Sequence, residues 1–314
     1  MLTEKNNKKT NLVHMKKRNG FLFLLLCSLS FPANSNGQSK SIIASGAKVE
    51  KLADGFTFTE GPASDKKGNV YFTDQPNNRI LKWSTKGELS VFLEDSGRAN
   101  GLYIDKKDNL FSCSDRDNEI WSIDKTGKHK VLVADFENKK LNGPNDLWVH
   151  PQGGIYFTDP LYVRDYWKRG SEMQQKGEYV YYLSPDGKTL TQVETELKKP
   201  NGIVGSPDGK RLYVADIGSG KTYVYDILPD GALSGKTLFS AIGSDGMTID
   251  EKGNVYLTGN GVTIVNPQGE KITHIPVDAG WTANVCFGGK DGKTLFITAS
   301  QYLYAIRMNV KGVR

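Results

Sequence analysis

The chain has 314 residues, with 41 Lys and Arg against 35 Asp and Glu and a formal charge of +6. Six of the basic residues but only one acid, Glu4, lie in the first 37 positions. The rest of the chain is therefore close to neutral, which argues against a nucleic-acid-binding surface.

Residues 1–37 read as a secretory leader. From Met15 the chain runs MKKRNGFLFLLLCSLSFPANSNGQ, with a basic start, a short apolar run from Phe21 to Phe31 and small residues after it. Met15 is a second candidate start. Leu26 before Cys27 makes a poor lipoprotein site, so release is favoured over lipid anchoring, and a periplasmic or secreted location is expected. Residues 38–46 read as a short linker, and residues 47–314 as the folded domain. Nothing after the leader is long and apolar enough to span a membrane. Cys113 and Cys286 fall singly in apolar runs, outside any CxxC or metal-spaced cluster, and read as buried thiols.

Six segments then repeat one phrase, a short strand, a tight turn and an alternating strand. They are EGPASDKKGNVYFTD from Glu60, NGLYIDKKDNLFSCSD from Asn100, NDLWVHPQGGIYFTD from Asn145, NGIVGSPDGKRLYVAD from Asn201, DGMTIDEKGNVYLTG from Asp245 and NVCFGGKDGKTLFITA from Asn284. Two further strands follow most of them. Repeats of about 40–45 residues, each of four short strands, indicate an all-β protein, a six-bladed β-propeller with four antiparallel strands per blade. The sixth repeat runs short, and the segment AKVEKLADGFTF (Ala47 to Phe58) is a spare strand. The expectation is that this N-terminal strand completes the last blade and so closes the ring. The third repeat is long because of PLYVRDYWKRGSEMQQKGEY, Pro160 to Tyr179, between its second and third strands. That insertion reads either as a lid or as a surface decoration.

The first letter of each phrase is Glu60, Asn100, Asn145, Asn201, Asp245 and Asn284. The first strand of a propeller blade lines the central channel, so these six should meet at one channel mouth. Asn-Gly and Asp-Gly are ordinary turn dipeptides. Turn chemistry does not account for Glu60, for Asn145 before Asp146, or for Asn284 before Val285. Two carboxylates with amide oxygens suit a hard divalent cation, Ca²⁺ above others in so irregular a ring. Mg²⁺, Zn²⁺ or Mn²⁺ would serve as substitutes. Asp74, Asp159 and Asp216 end second strands and read either as strand-end turn residues or as acceptors for a polyol. Asn100, Asn142, Trp281 and Asn284 should flank the mouth, with Trp281 stacking on a substrate ring or packing between blades. No serine lies in a G-x-S-x-G elbow, which argues against a Ser-His-Asp hydrolase.

EGP, LNGPND followed by IYFTDP, PNG followed by SPDGKRLYVAD, DGM followed by GNVYLT, and CFGGKDGKTLFIT together resemble the gluconolactonase and regucalcin (senescence marker protein) family. The resemblance spans residues 47–310. It implies a six-bladed propeller with one divalent cation, usually Ca²⁺, and hydrolysis of a small lactone. Carried over residue by residue, it implies Glu60, Asn145, Asn201 and Asp245 as metal ligands. It also implies Asp245 as the base, or as the group that positions the attacking water, and Asn145 as a contact for the substrate. The animal lactonases carry an arginine two residues before that asparagine, and here the position is Gly143. Their sugar specificity is therefore not carried over. Two alternatives stay open: hydrolysis of another ester or phosphotriester at the same metal site, and a non-catalytic propeller that binds a ligand with Ca²⁺ as a rivet.

Overall fold

The computed structural model describes residues 41–167 and 169–313. The leader expected at residues 1–37 lies outside them. No helix among the described residues is long and apolar enough to cross a membrane.

Blade one comprises Thr59–Ser64, Val70–Asp74, Arg79–Trp83 and Leu89–Glu94, paired antiparallel in that order. Blade two comprises Ala99–Ile104, Leu110–Ser114, Glu119–Ile123 and His129–Val133. Blade three is Leu147–Val149, Ile155–Asp159, Tyr179–Leu183 and Leu190–Glu194, and blade four is Pro200–Gly205, Arg211–Asp216, Lys221–Ile227 and Leu233–Ser240. Blade five is Met247–Ile249, Val255–Gly259, Gly261–Val265 and Lys271–Ile275. Blade six takes Thr282–Gly288, Thr294–Ala299 and Tyr302–Arg307 from the C-terminal end, and its outer strand is Glu50–Ala53. Glu50 pairs with Ala305 and Lys51 with Tyr304, as the spare N-terminal strand implied.

Residues read as a linker are also tied to blade six. The Ala44 N–H donates to the Arg307 carbonyl, and Asn309 Nδ2 donates to the carbonyls of Ser41 and Ile43. The ring closes a second time at blade one, where Thr59 donates through its N–H to the Ser300 carbonyl and through Oγ1 to the Tyr302 carbonyl, both at 2.8 Å.

The core sits between blades rather than within one. Ala63, Ile80, Leu102 and Trp121 pack between blades one and two, and Cys113, Leu147, Phe157 and Tyr181 between two and three. Tyr156, Val204, Tyr213, Ile249 and Val255 fill the larger cluster spanning blades three to five. Cys113 and Cys286 are both buried. Each fully buried aromatic or aliphatic side chain contributes about 1.5–3 kcal/mol, and the twofold alternation of the strands puts these residues on the facing surfaces.

Two small residues of the repeated phrase bring the blades together at the channel. The threonine near the end of the second strand reaches the first strand of the next blade. Thr73 Oγ1 donates to the Asn100 carbonyl (3.1 Å), Thr158 Oγ1 to the Asn201 carbonyl (2.7 Å) and Thr258 Oγ1 to the Ala283 carbonyl (2.8 Å). The glycine after the first letter permits the approach. A Cβ at Gly61 would lie 2.2 Å from the Asn100 carbonyl oxygen, and one at Gly246 would lie 1.9 Å from Asn284 Cγ. The recurring Asn-Gly and Asp-Gly pairs thus serve close packing around the channel.

The three strand-end aspartates do a common structural job. Asp74 accepts the N–H groups of Thr57 and Phe58, Asp159 those of Asn142 and Gly143, and Asp216 those of Lys198 and Lys199. Each clamps the loop leading into its own blade. Thr158→Val keeps the shape but leaves the Asn201 carbonyl unpaired. It should lower stability by about 1–3 kcal/mol in urea denaturation, with an unchanged m-value.

Candidate functional site

The first strands face the channel along one edge, so their inner backbone groups have no neighbouring strand to pair with. Side chains meet that need. Glu60 Oε2 accepts its own neighbour's N–H, that of Gly61, at 2.8 Å. Asp146 Oδ1 does the same for Leu147 at 2.9 Å and Asn284 Oδ1 for Val285 at 2.8 Å. Strand pairing is irregular at these points, between Glu60 and Ala63, Ala99 and Leu102, Pro200 and Ile203, and Thr282 and Asn284. Such bulges re-aim a side chain, and here they fall on the first letter of the phrase.

Glu60, buried, and Asp245, half-buried, interact although they come from blades one and five. Burial, and after it the charge of Asp245, raises the Glu60 pKa well above the usual carboxylate range. Burial also pushes Asp245 up to about 6, against the opposing hydrogen bonds of Trp281 and Asn201. Arg164, on the blade-three insertion, is near enough to favour the ionised form of Asp245. Asp146, buried beside Glu60, is pushed up to about 7, chiefly by desolvation.

Asn201 donates from Nδ2 to the Tyr162 hydroxyl at 3.0 Å and bonds Asp245, while its Oδ1 is buried without a partner. Asn100 Oδ1 is likewise buried and unpartnered. Asn145 is buried beside blade two, its carbonyl accepting the Gly101 N–H at 2.8 Å. Asn284 turns its Nδ2 toward Asp146 (3.3 Å) and Glu60, so the side-chain oxygen expected to face the channel instead serves its own backbone. Trp281 is 40% exposed at the mouth and donates from Nε1 to Asp245 Oδ2 at 2.6 Å. Its role is to hold that carboxylate, in addition to any contact with a ligand ring. Asn142 is fully buried, donating from Nδ2 to the carbonyls of Asp159 and Gly177, with Oδ1 left unpartnered. It pins the base of the insertion.

A divalent cation fits this donor set. The charge of Asp245 adds to burial in raising the Glu60 pKa, and the side-chain oxygens of Asn100 and Asn201 lack any donor, a pattern that a cation would satisfy. No group of three or more His, Cys, Asp or Glu among the described residues is arranged to hold a metal. The set rests instead on Glu60 and Asp245 completed by amide oxygens.

Sequence reasoning did not single out Asp146, Tyr162, Arg164, Asp115 or Gln75. Asp146 had a signal, since an acid replaces the glycine that follows the first letter in four of the other phrases. The insertion residues had none, because their partners lie far off in sequence. Trp167 of the insertion stands against Gly143, where a Cβ would lie 3.1 Å from its ring. A cavity of about 210 Å³ at the mouth is lined by Phe58, Glu60, Gln75, Pro76, Asn100 and Arg164. A larger one, about 250 Å³, occupies the channel below Asp146 and Asn284 and is bordered by Trp148, His150 and Val313. Glu60 and Asn100 line the smaller cavity, and Asp146 and Asn284 the larger.

Asp245 and Asp146 carry folded-state pKa values above the unfolded value near 4. The folded state therefore binds their protons more tightly. Their contribution to stability is present below about pH 4 and is lost as pH rises through 6 to 7. In chelator at pH 8, Asp245→Asn should raise stability by about 1–3 kcal/mol, and the gain should shrink at pH 5. Urea denaturation at the two pH values measures both.

A family model for the SMP-30/Gluconolactonase/LRE-like region matches residues 58–301. A gluconolactonase of Zymomonas mobilis is 31% identical over 293 residues, covering 84% of this chain and 82% of its own. The solved structure of a Xanthomonas campestris gluconolactonase superposes with a TM-score of 0.80 at 30% identity, covering 85% of this chain and 91% of that one. A regucalcin from Agrobacterium tumefaciens, described as calcium-binding, shares the fold at a TM-score of 0.70 and 19% identity, over 83% and 94% of the two chains. Fold, repeat and match together place the chain in the SMP-30/gluconolactonase/LRE-like family.

Proposed function

We propose that the protein is a lactonase that opens a small sugar lactone to the aldonic acid with a divalent cation, Ca²⁺ first among candidates, held by Glu60, Asn201 and Asp245, with Asn145 and Asn100 alongside. Lactone hydrolysis rests on the family and on the gluconolactonases within it. The cation rests on one observation above others, the unpartnered Asn100 and Asn201 oxygens near a buried Glu60 whose pKa is raised by burial and by the charge of Asp245. Secretion rests on the composition of residues 15–37.

When bound, a divalent cation supplies positive charge against the ester carbonyl oxygen as negative charge develops there. The chain's own residues supply the rest. Trp281 Nε1–H fixes one oxygen of Asp245 and so sets how that carboxylate faces the attacking water. Hydrogen bonds from Trp281 and Asn201 favour the ionised form of Asp245, the form that can accept a proton. Asp245 orients the water and takes its proton as oxygen attacks the carbonyl carbon. The ring C–O bond then breaks, and the proton passes to the leaving ring oxygen. Asn100, which lines the cavity, is the proposed contact for the substrate.

Proton release from glucono-1,5-lactone by the chain from residue 38 onward should exceed the spontaneous rate, stop in chelator and return with Ca²⁺. Asp245→Asn and Glu60→Gln should each lower kcat/KM by about 10²–10³-fold while the fold persists. Divalent binding by calorimetry with no turnover of any aldonolactone would remove the lactonase reading and leave a binding propeller or an esterase of another kind.

A further inference from the structure

The channel mouth holds a guanidinium that the hydrolytic account does not use. Arg164 donates from Nε to Asp115 Oδ2 at 2.8 Å and lines the cavity shared with Glu60 and Asn100. A guanidinium carries five N–H donors in a rigid fork. That contact occupies one of them, and neither Nη has a protein acceptor among the described residues.

Docking of the insertion does not require this arginine. Tyr166 donates its hydroxyl to Asp115 Oδ2 at 2.6 Å, and Trp167 Nε1 donates to the Asp115 carbonyl at 2.8 Å. Gln75, from the short 3₁₀ turn Gln75–Asn77, adds a third bond to the same carboxylate at 2.7 Å. The Arg98 guanidinium stacks over the Tyr166 ring at 4.1 Å. Asp115 is thus a buried hub that anchors the insertion through two aromatic residues and also orients Arg164. The side chain of Arg164 is 29% exposed, that of Asp115 only 5%. Arg164 lines the cavity, and its guanidinium lies 5.6 Å from the centre of the Tyr162 ring.

We propose that Arg164 reads the hydroxyl groups of the lactone and that Asp115 positions it to do so, an assignment that rests on the lactonase reading above. The cavity, about 210 Å³, is smaller than the roughly 300–1,000 Å³ that takes drug-sized ligands, and so suits a single small ring. Its lining is mixed, with Phe58 and Pro76 against Glu60, Asn100, Gln75 and Arg164. Two parallel N–H donors match adjacent oxygens on a polyol, and a ring without hydroxyls gives them nothing to bind. The preference is therefore for polyhydroxylated over unsubstituted lactones, and it is built from the insertion.

The test compares glucono-1,5-lactone with δ-valerolactone, a ring of the same size without hydroxyls, in the wild-type chain with Ca²⁺. For Arg164→Ala the ratio of kcat/KM values, gluconolactone over valerolactone, should fall about tenfold to a hundredfold, with the change in KM rather than kcat. Arg164→Lys keeps stem and charge and should lower the same ratio by less. Asp115→Asn should lower it too, since a neutral amide holds the fork less firmly, and thermal denaturation of all three reports folding separately. An unchanged ratio in Arg164→Ala and Arg164→Lys overturns the assignment, as does a loss shared equally by both lactones or one confined to kcat. A wild-type chain that hydrolyses neither lactone overturns the lactonase reading and this assignment with it.

Discussion

Everything at the channel mouth follows from holding two carboxylates, the buried Glu60 and the half-buried Asp245, close together. Each desolvated carboxylate costs several kcal/mol, and like charges add to that. The surrounding groups offset part of the cost with N–H donors: the backbone of Gly61 and the amide of Asn284 for Glu60, the Trp281 indole and the Asn201 amide for Asp245. They do not offset it fully, since both carboxyls stay above their ordinary pKa. A site left with excess negative charge and unpartnered amide oxygens is suited to a cation.

The propeller provides such a place because six edge strands converge on it. Their unpaired inner edges draw side chains back onto their own backbone, and in blades one, two, four and six a bulge falls at the leading residue. Threonines and glycines then bring the strands close enough for residues from blades one and five to interact. Neither the threonine network nor the glycine contacts touch a ligand. Both set the spacing on which the chemistry depends.

The architecture was legible because it repeats. Alternation set the strands, the phrase set the number of blades, and a missing strand at one end with a spare at the other set the closure. The six leading residues were legible for the same reason. What was not legible depends on contacts without sequence periodicity. Asn284 occupies the expected position, but the carboxylates beside it and the backbone N–H behind it turn its oxygen away. Trp281 looked like a stacking surface, and its partner Asp245 lies 36 residues earlier. The insertion could be located from its length alone, while its docking on Asp115 involves partners 49 to 52 residues away. Asp146 was within reach of the sequence as the one acid where most repeats place glycine.

Anomalous diffraction from crystals grown with Ca²⁺, or with Mn²⁺ for a stronger signal, tests the central claim most directly. The account predicts one peak in the channel mouth, in contact with carboxylate oxygens of Glu60 and Asp245 and with Oδ1 of Asn201. Crystals saturated with either cation that show no peak there, or a peak held by other residues, would contradict it.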